Sequence, residues 1–320
     1  MIEIKEIIYG RNMRVGPAPK IRKLGVMAGG GETTPFVWQG KLKFLETVSV
    51  GDSVAVVFDA WAQIRDIETN EVSAPFGHGY HFYSCYEENG TVYVFATNEH
   101  EGRVWGGDTI TMLWSSDLIN WEKKDVSTRK GWEFYNTSVC KGRDGKYVMA
   151  VEVDKPREIS GRPYTNFFLT SDDLHNWTMM PDEIHYSDKR YTACPVLRYL
   201  PSDDYYYMIC VEALPLVRYA PYIYRTKDFM TWEIGLHNPV LWISEEDHMI
   251  KEGASFTPEQ AEHIRTYLNI NNCDLDVCEC DGKTWIVYAT GDQLSQGFGC
   301  MAVYEGTMGQ FFQNFFNVLN

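Results

Sequence analysis

Four carboxylates in this sequence fall where they could exchange protons across a single cleft. Glu32 lies eight residues before Gly40 and Asp274 lies eight before Gly282, so the two hold the same place in a repeated unit. Glu152 and Glu212 match one another at the ends of the apolar runs 147–151 and 205–211, and Glu46 resembles them. A charge beside an apolar run is costly unless it is paired or solvated. Each of these groups therefore either meets a cation such as Arg190, Arg198 or Arg225, or faces an open site. Two facing carboxyl groups supply an acid and a base. At a glycosidic bond, a separation of about 6.5–9.5 Å suits inversion and about 5–5.5 Å suits retention. Asp274 is the expected base, and Glu152 or Glu212 the expected acid.

Further polar and aromatic residues cluster at the same ends of the apolar runs. His78, Tyr80 and His81 precede one run, Asn136 opens another, Arg190 and Tyr191 a third, and Asn272 a fourth; Asp292 ends a fifth. Trp105, in Trp105-Gly106-Gly107-Asp108, is placed to be a loop platform. Amides, hydroxyls and rings gathered at one end of apolar strands are what sugar hydroxyls require.

The elements that position these groups repeat. Asn89-Gly90, Asp144-Gly145, Asp203-Asp204, Asp281-Gly282 and Gln39-Gly40 each divide two apolar runs, the mark of a β-hairpin. Three further segments end in a turn built on an aspartate and a closing tryptophan: 114–121, 170–177 and 225–232. The second strand of each hairpin is apolar on both faces, as a strand packed between two sheets must be. Five units of about fifty residues predict an all-β fold, a five-bladed β-propeller spanning residues 1–320 as one domain. In a propeller, the start of each inner strand and the end of the second strand meet at one mouth of the channel. A helix is expected over about 258–268, between blades four and five, capped by Thr257 with Pro258 behind it. The segment 4–15 is expected to close the ring as the last outer strand.

Composition sets limits. The formal net charge of −15 argues against nucleic acid as a partner. No run approaches the length of an apolar membrane span, and the first residues lack the pattern of a secretory leader, so a cytoplasmic location is expected. Eight scattered cysteines read as reduced thiols. Cys278 and Cys280 form only a weak C-x-C metal signal. Asp274-Leu275-Asp276 begins like a calcium loop, but Glu279 stands where that loop needs glycine. No metal or cofactor is expected, and oligomeric state is not legible.

The Ser-x-Asp-Leu-x-x-Trp turns at 115–121 and 171–177 resemble those of five-bladed propeller glycosidases, such as glycoside hydrolase families 43, 32 and 117. The tracts 271–279 and 191–195 resemble a group of bacterial glycosidase-like proteins without an assigned activity. The resemblance spans about residues 28–316 and implies a glycosidase acting on a small carbohydrate. The family 43 triad does not carry over residue by residue. Thr34-Pro35 stands in place of its aspartate–proline base, with Glu32 just before. Asn136-Thr137 stands in place of its glutamate acid, with Glu133 upstream, and no aspartate near Phe82 matches the third member. The expectation is an exo-acting, inverting hydrolase of short neutral oligosaccharides. A glycoside phosphorylase using Arg190, Arg162 and His81 for phosphate, or a non-catalytic sugar-binding propeller, are the alternatives.

Overall fold

A computed structural model describes residues 14–29, 32–53, 56–98, 106–187, 189–216, 218–293 and 297–319. Trp105, Glu99 and residues 4–13 of the expected closing segment lie outside the described residues.

Five antiparallel units follow one another along the chain. Their inner strands are Thr33–Trp38, Tyr80–Glu88, Glu133–Lys141, Thr192–Leu200 and Asn271–Cys280. Each packs against the next, and the last returns to the first, which closes a five-bladed propeller around a central channel. The hairpin turns stand where the sequence places them. Gln39-Gly40, Asn89-Gly90, Asp144-Gly145 and Asp281-Gly282 all have positive φ at both residues, the backbone that matches the twist of the flanking strands.

The doubly apolar second strands have a direct explanation in packing. In Tyr147–Lys155, Val148 and Ala150 join blade four residues such as Leu197 and Met208. Met149 and Val151, on the opposite face, join Phe95 and Met112 of blade two. The core is thus a set of layers between blades, and alternation along the strand assigns each side chain to one neighbour.

In the aspartate turns, Asp117, Asp173 and Asp228 each accept the backbone N–H groups two and three residues on, at 2.7–2.9 Å. Leu118, Leu174 and Phe229 take positive φ in these turns. Trp177 and Trp232 donate their indole N–H to the carbonyls of Leu174 and Phe229, and Trp121 stacks on Phe76 with centroids 3.9 Å apart.

One expectation is corrected. The outermost strand of blade five is Ile21–Val26, which pairs antiparallel with Gly297–Tyr304. Arg14–Val15 instead forms a small ladder with Val318–Leu319. Ile21–Val26 feeds straight into the inner strand of blade one, so the short connection selects it. The Pro258–Thr266 helix forms between blades four and five with the expected cap: Thr257 accepts the Gln260 N–H while the Gln260 side chain returns to the Thr257 N–H. A second helix, Met308–Asn314, buries Phe311 and Phe312 against blades four and five and lay outside the sequence reading. A chain beginning at Met27 is expected to lose cooperative thermal unfolding, because blade five then lacks its fourth strand. A chain beginning at Lys20 should keep it, as read by circular dichroism.

Candidate functional site

The inner strands are bulged near their entry. Pairing with the second strand slips between His81 and Ser84, Phe134 and Thr137, Ala193 and Val196, and Cys273 and Asp276. In three of these bulges one residue takes a left-handed backbone: Phe82 (φ 57°), Cys194 (φ 53°) and Asp274 (φ 46°). Bulges re-aim side chains beside functional sites, and a non-glycine residue held at positive φ is strained. Together with the unbulged inner strand of blade one, they gather groups from all five blades around a central cleft open to solvent. Glu32, Ser84, Asn136, Cys194 and Asp274 line it, one from each blade.

Glu32, Asp274 and Asp276 line this cleft, and Glu152 sits directly behind its wall, bonded to the lining residues Asn136 and Cys194. Glu152 is buried, with its Oε2 accepting the Cys194 backbone N–H at 2.7 Å and the Asn136 amide at 3.0 Å. Burial pushes its pKa up to about 7; the two N–H donors resist that, and the charges of Asp274 and Asp154 add to it. Glu32, half-buried at the mouth, is pushed up to about 8, first by burial and then by the charges of Asp274 and Glu152. The carboxylate of Asp274 accepts the thiol of Cys194 at 2.7 Å and that of Cys273 at 2.8 Å. Further along the channel, Arg198 pairs with Asp276 at 2.6 Å and donates to Ser138 and the Val277 carbonyl.

The fourth expected carboxylate stands apart. Glu212 accepts Arg190 Nε and Nη2 at 3.0 and 2.7 Å and also the Tyr224 hydroxyl. Its sequence equivalence with Glu152 is real, but an arginine beside one and an amide beside the other give them different chemistry. Glu46 is likewise sealed by Arg65 and Gln63.

The expected binding residues divide. Asn136 lines the cleft, and Tyr191 stands immediately before Thr192-Ala193-Cys194, whose cysteine lines it. Tyr191 is one link in a chain of edge-on ring contacts, Phe82–Tyr135–Tyr164–Tyr191–Tyr219, with centroids 5.2–5.7 Å apart across blades two to four. The charges of Glu152 and Asp274 act on Tyr191, which places this arc beside the carboxylates. Sequence reasoning reached only Tyr191, because the rings are spread over nearly 140 residues; each immediately precedes or begins a strand or its bulge. His81 is buried beside Phe82, with ring centroids 6.1 Å apart. His78 is exposed, 3.2 Å from Asp59 and beside Trp61. Tyr80 carries Lys123 over its ring at 5.6 Å. Asp292 is half-buried past the end of Lys283–Gly291. Asn272 is fully buried and holds Asp247 and the Asn271 carbonyl while accepting from Lys23, so it braces the blade five entry and is out of reach of a ligand.

Among the described residues, no group of three or more His, Cys, Asp or Glu side chains is arranged to hold a metal ion. No helix among them is long and apolar enough to cross a membrane.

No protein-family model matches the chain, and no curated protein matches it by sequence. Solved structures share its fold. One described as a glycoside hydrolase aligns over 96% of both chains at 14% identity, with a TM-score of 0.59. The α-L-arabinofuranosidase PaAbf62A from Podospora anserina, in complex with cellotriose, aligns over 91% of this chain and 99% of its own at 9% identity, TM-score 0.60. A thermostable family-43 glycoside hydrolase aligns over 87% and 91% at 11% identity, TM-score 0.56. The chain therefore has the five-bladed propeller fold of these glycoside hydrolases.

The raised carboxyls carry a stability consequence. Between the ordinary glutamate range and about pH 8, folded Glu32 holds a proton that the unfolded chain releases, so stability falls as pH rises through that window. Glu32→Gln removes this penalty. The variant should be more stable than the parent at pH 8.5, by roughly 1–3 kcal/mol, with the gap closing at pH 4.5 in denaturant titrations.

Proposed function

We propose that the chain is a glycoside hydrolase that removes terminal sugars from short neutral oligosaccharides with inversion. The observation that carries this reading is the gathering of Glu32 and Asp274 in one cleft, with Glu152 of a third blade directly behind its wall against Asn136 and Cys194, and with Glu32 and Glu152 raised toward neutral pH. A carboxyl with a pKa near the working pH is suited to donate a proton to a leaving oxygen. In this reading Glu152 is the acid, Asp274 is the base that takes a proton from the attacking water, and Glu32 is the neutral neighbour that spares the site a second negative charge beside Asp274. The tyrosine arc gives the sugar apolar edges and hydroxyls to lie against. Its likeness in fold to glycoside hydrolases is in keeping with this. The phosphorylase alternative loses support because Arg190, an obvious phosphate ligand, is already held by Glu212. All eight cysteines are unpaired, which fits the cytoplasmic location expected from the sequence.

The test is turnover on a panel of aryl glycosides and short oligosaccharides, with the anomer released followed by NMR. Asp274→Asn should lower kcat by about 10²–10⁴ with folding intact. The kcat/KM of the parent should fall as pH rises through about 7, as Glu152 loses its proton, and Glu152→Gln should abolish that limb. Parent turnover together with wild-type rates in both variants would remove the assignment. A protein that binds sugars in the cleft but turns over none would be a binding propeller.

Tyr191→Ala should raise KM about 3–10-fold with little change in kcat, the effect of losing one ring contact.

A further inference from the structure

Asp274 is held in an unusual way. Among the described residues its oxygens are held by two thiols: Cys194 donates to Oδ1 at 2.7 Å and Cys273 to Oδ2 at 2.8 Å. The Gln293 amide in turn donates to the Cys273 sulfur at 3.3 Å. Cys194 does more than touch Asp274. Its backbone N–H is bonded to Glu152, and the Asn136 amide lies 3.6 Å from its sulfur. The residue sits at φ 53° in the blade four bulge, and Asp274 sits at φ 46° in the matching bulge of blade five. Two strained positions in neighbouring blades are thus joined by an S–H···O bond, and one residue links the two carboxyls assigned as acid and base.

We propose that Cys194 and Cys273 are positioning residues that clamp the Asp274 carboxylate through their thiols, with Cys194 also fixing Glu152 relative to it. The catalytic part of this inference rests on the glycoside hydrolase reading; the clamp itself does not. The chemistry is apt because a thiol is a weak donor. It orients a carboxylate without setting a positive charge beside it, as an arginine partner would. Both thiols stay protonated, because burial and the adjacent Asp274 charge push them well above the usual thiol range. The titratable groups facing Cys194 are Asp274 and Glu152, with Cys273 beside them; those facing Cys273 are Asp274 and Glu32, with Gln293 as the neutral donor.

The coupling must be reciprocal, which gives a test that needs no turnover. Alkylation of Cys194 and Cys273 by iodoacetamide is followed by peptide mass spectrometry as a function of pH, in the parent and in Asp274→Asn. Removing the charge should bring the rise in alkylation to lower pH, so that both cysteines react about tenfold faster or more at a fixed pH near 8. Unchanged profiles in Asp274→Asn would overturn the clamp. In the activity arm, Cys194→Ala and Cys273→Ala should lower kcat more than they alter KM, while Cys194→Ser and Cys273→Ser, which keep a donor, should restore most of it. Equal losses in the Ala and Ser variants would reject the positioning role. Shifted alkylation without turnover of any glycoside keeps the clamp and discards the hydrolase reading; turnover with unshifted alkylation does the reverse.

Discussion

Like charges held out of water at close range are the constraint on which this molecule turns. Burial first, and then the charges of their neighbours, lets Glu32 and Glu152 hold protons well above the normal carboxyl range beside Asp274. Such an arrangement relaxes wherever the backbone can yield. Here it cannot, because each group is anchored to a different blade and the blades are locked by apolar layers on both sides. The propeller is the device that keeps these groups buried, and burial, with neighbouring charge added to it, is what gives the site its acid.

The same division of labour explains the bulges. A regular inner strand would send alternate side chains into the two neighbouring blades and leave the channel to chance. An extra residue at the entry breaks that alternation and directs Cys194 and Asp274 toward the axis. Ile21–Val26 beside Gly297–Tyr304 gives blade five, which carries Asp274, its fourth strand and ties the two ends of the ring together. The buried cluster of Lys23, Asp247 and Asn272 ties that closing strand to the start of the Asp274 strand. The strand that completes the fold therefore also braces the site.

Much of this was legible in the sequence, and the reasons are local. Asn89-Gly90 and Asp281-Gly282 specify their turns by themselves, and Asp173 with Trp177 specifies another, because the interactions span only a few residues. Glu32, Glu152 and Asp274 were found because their places in the repeat are regular. What escaped depends on partners distant in sequence. Glu212 matches Glu152 in the repeat, yet Arg190 and Tyr224 claim it. Asn272 looks exposed at a strand entry until Asp247, 25 residues upstream, buries it. The Cys194 thiol contact of Asp274 joins residues 80 apart through a left-handed backbone that cysteine rarely adopts, and no sequence pattern announces that.

The most direct measurement is a crystal structure of the Asp274→Asn variant soaked with an oligosaccharide that the parent protein cleaves. The account predicts a sugar in the central cleft against the tyrosine arc. Its anomeric carbon should lie between residue 274 and Glu152, with the scissile oxygen within hydrogen-bond reach of Glu152. Sugar bound elsewhere, or bound in the cleft with its anomeric carbon out of reach of both residues, would contradict it.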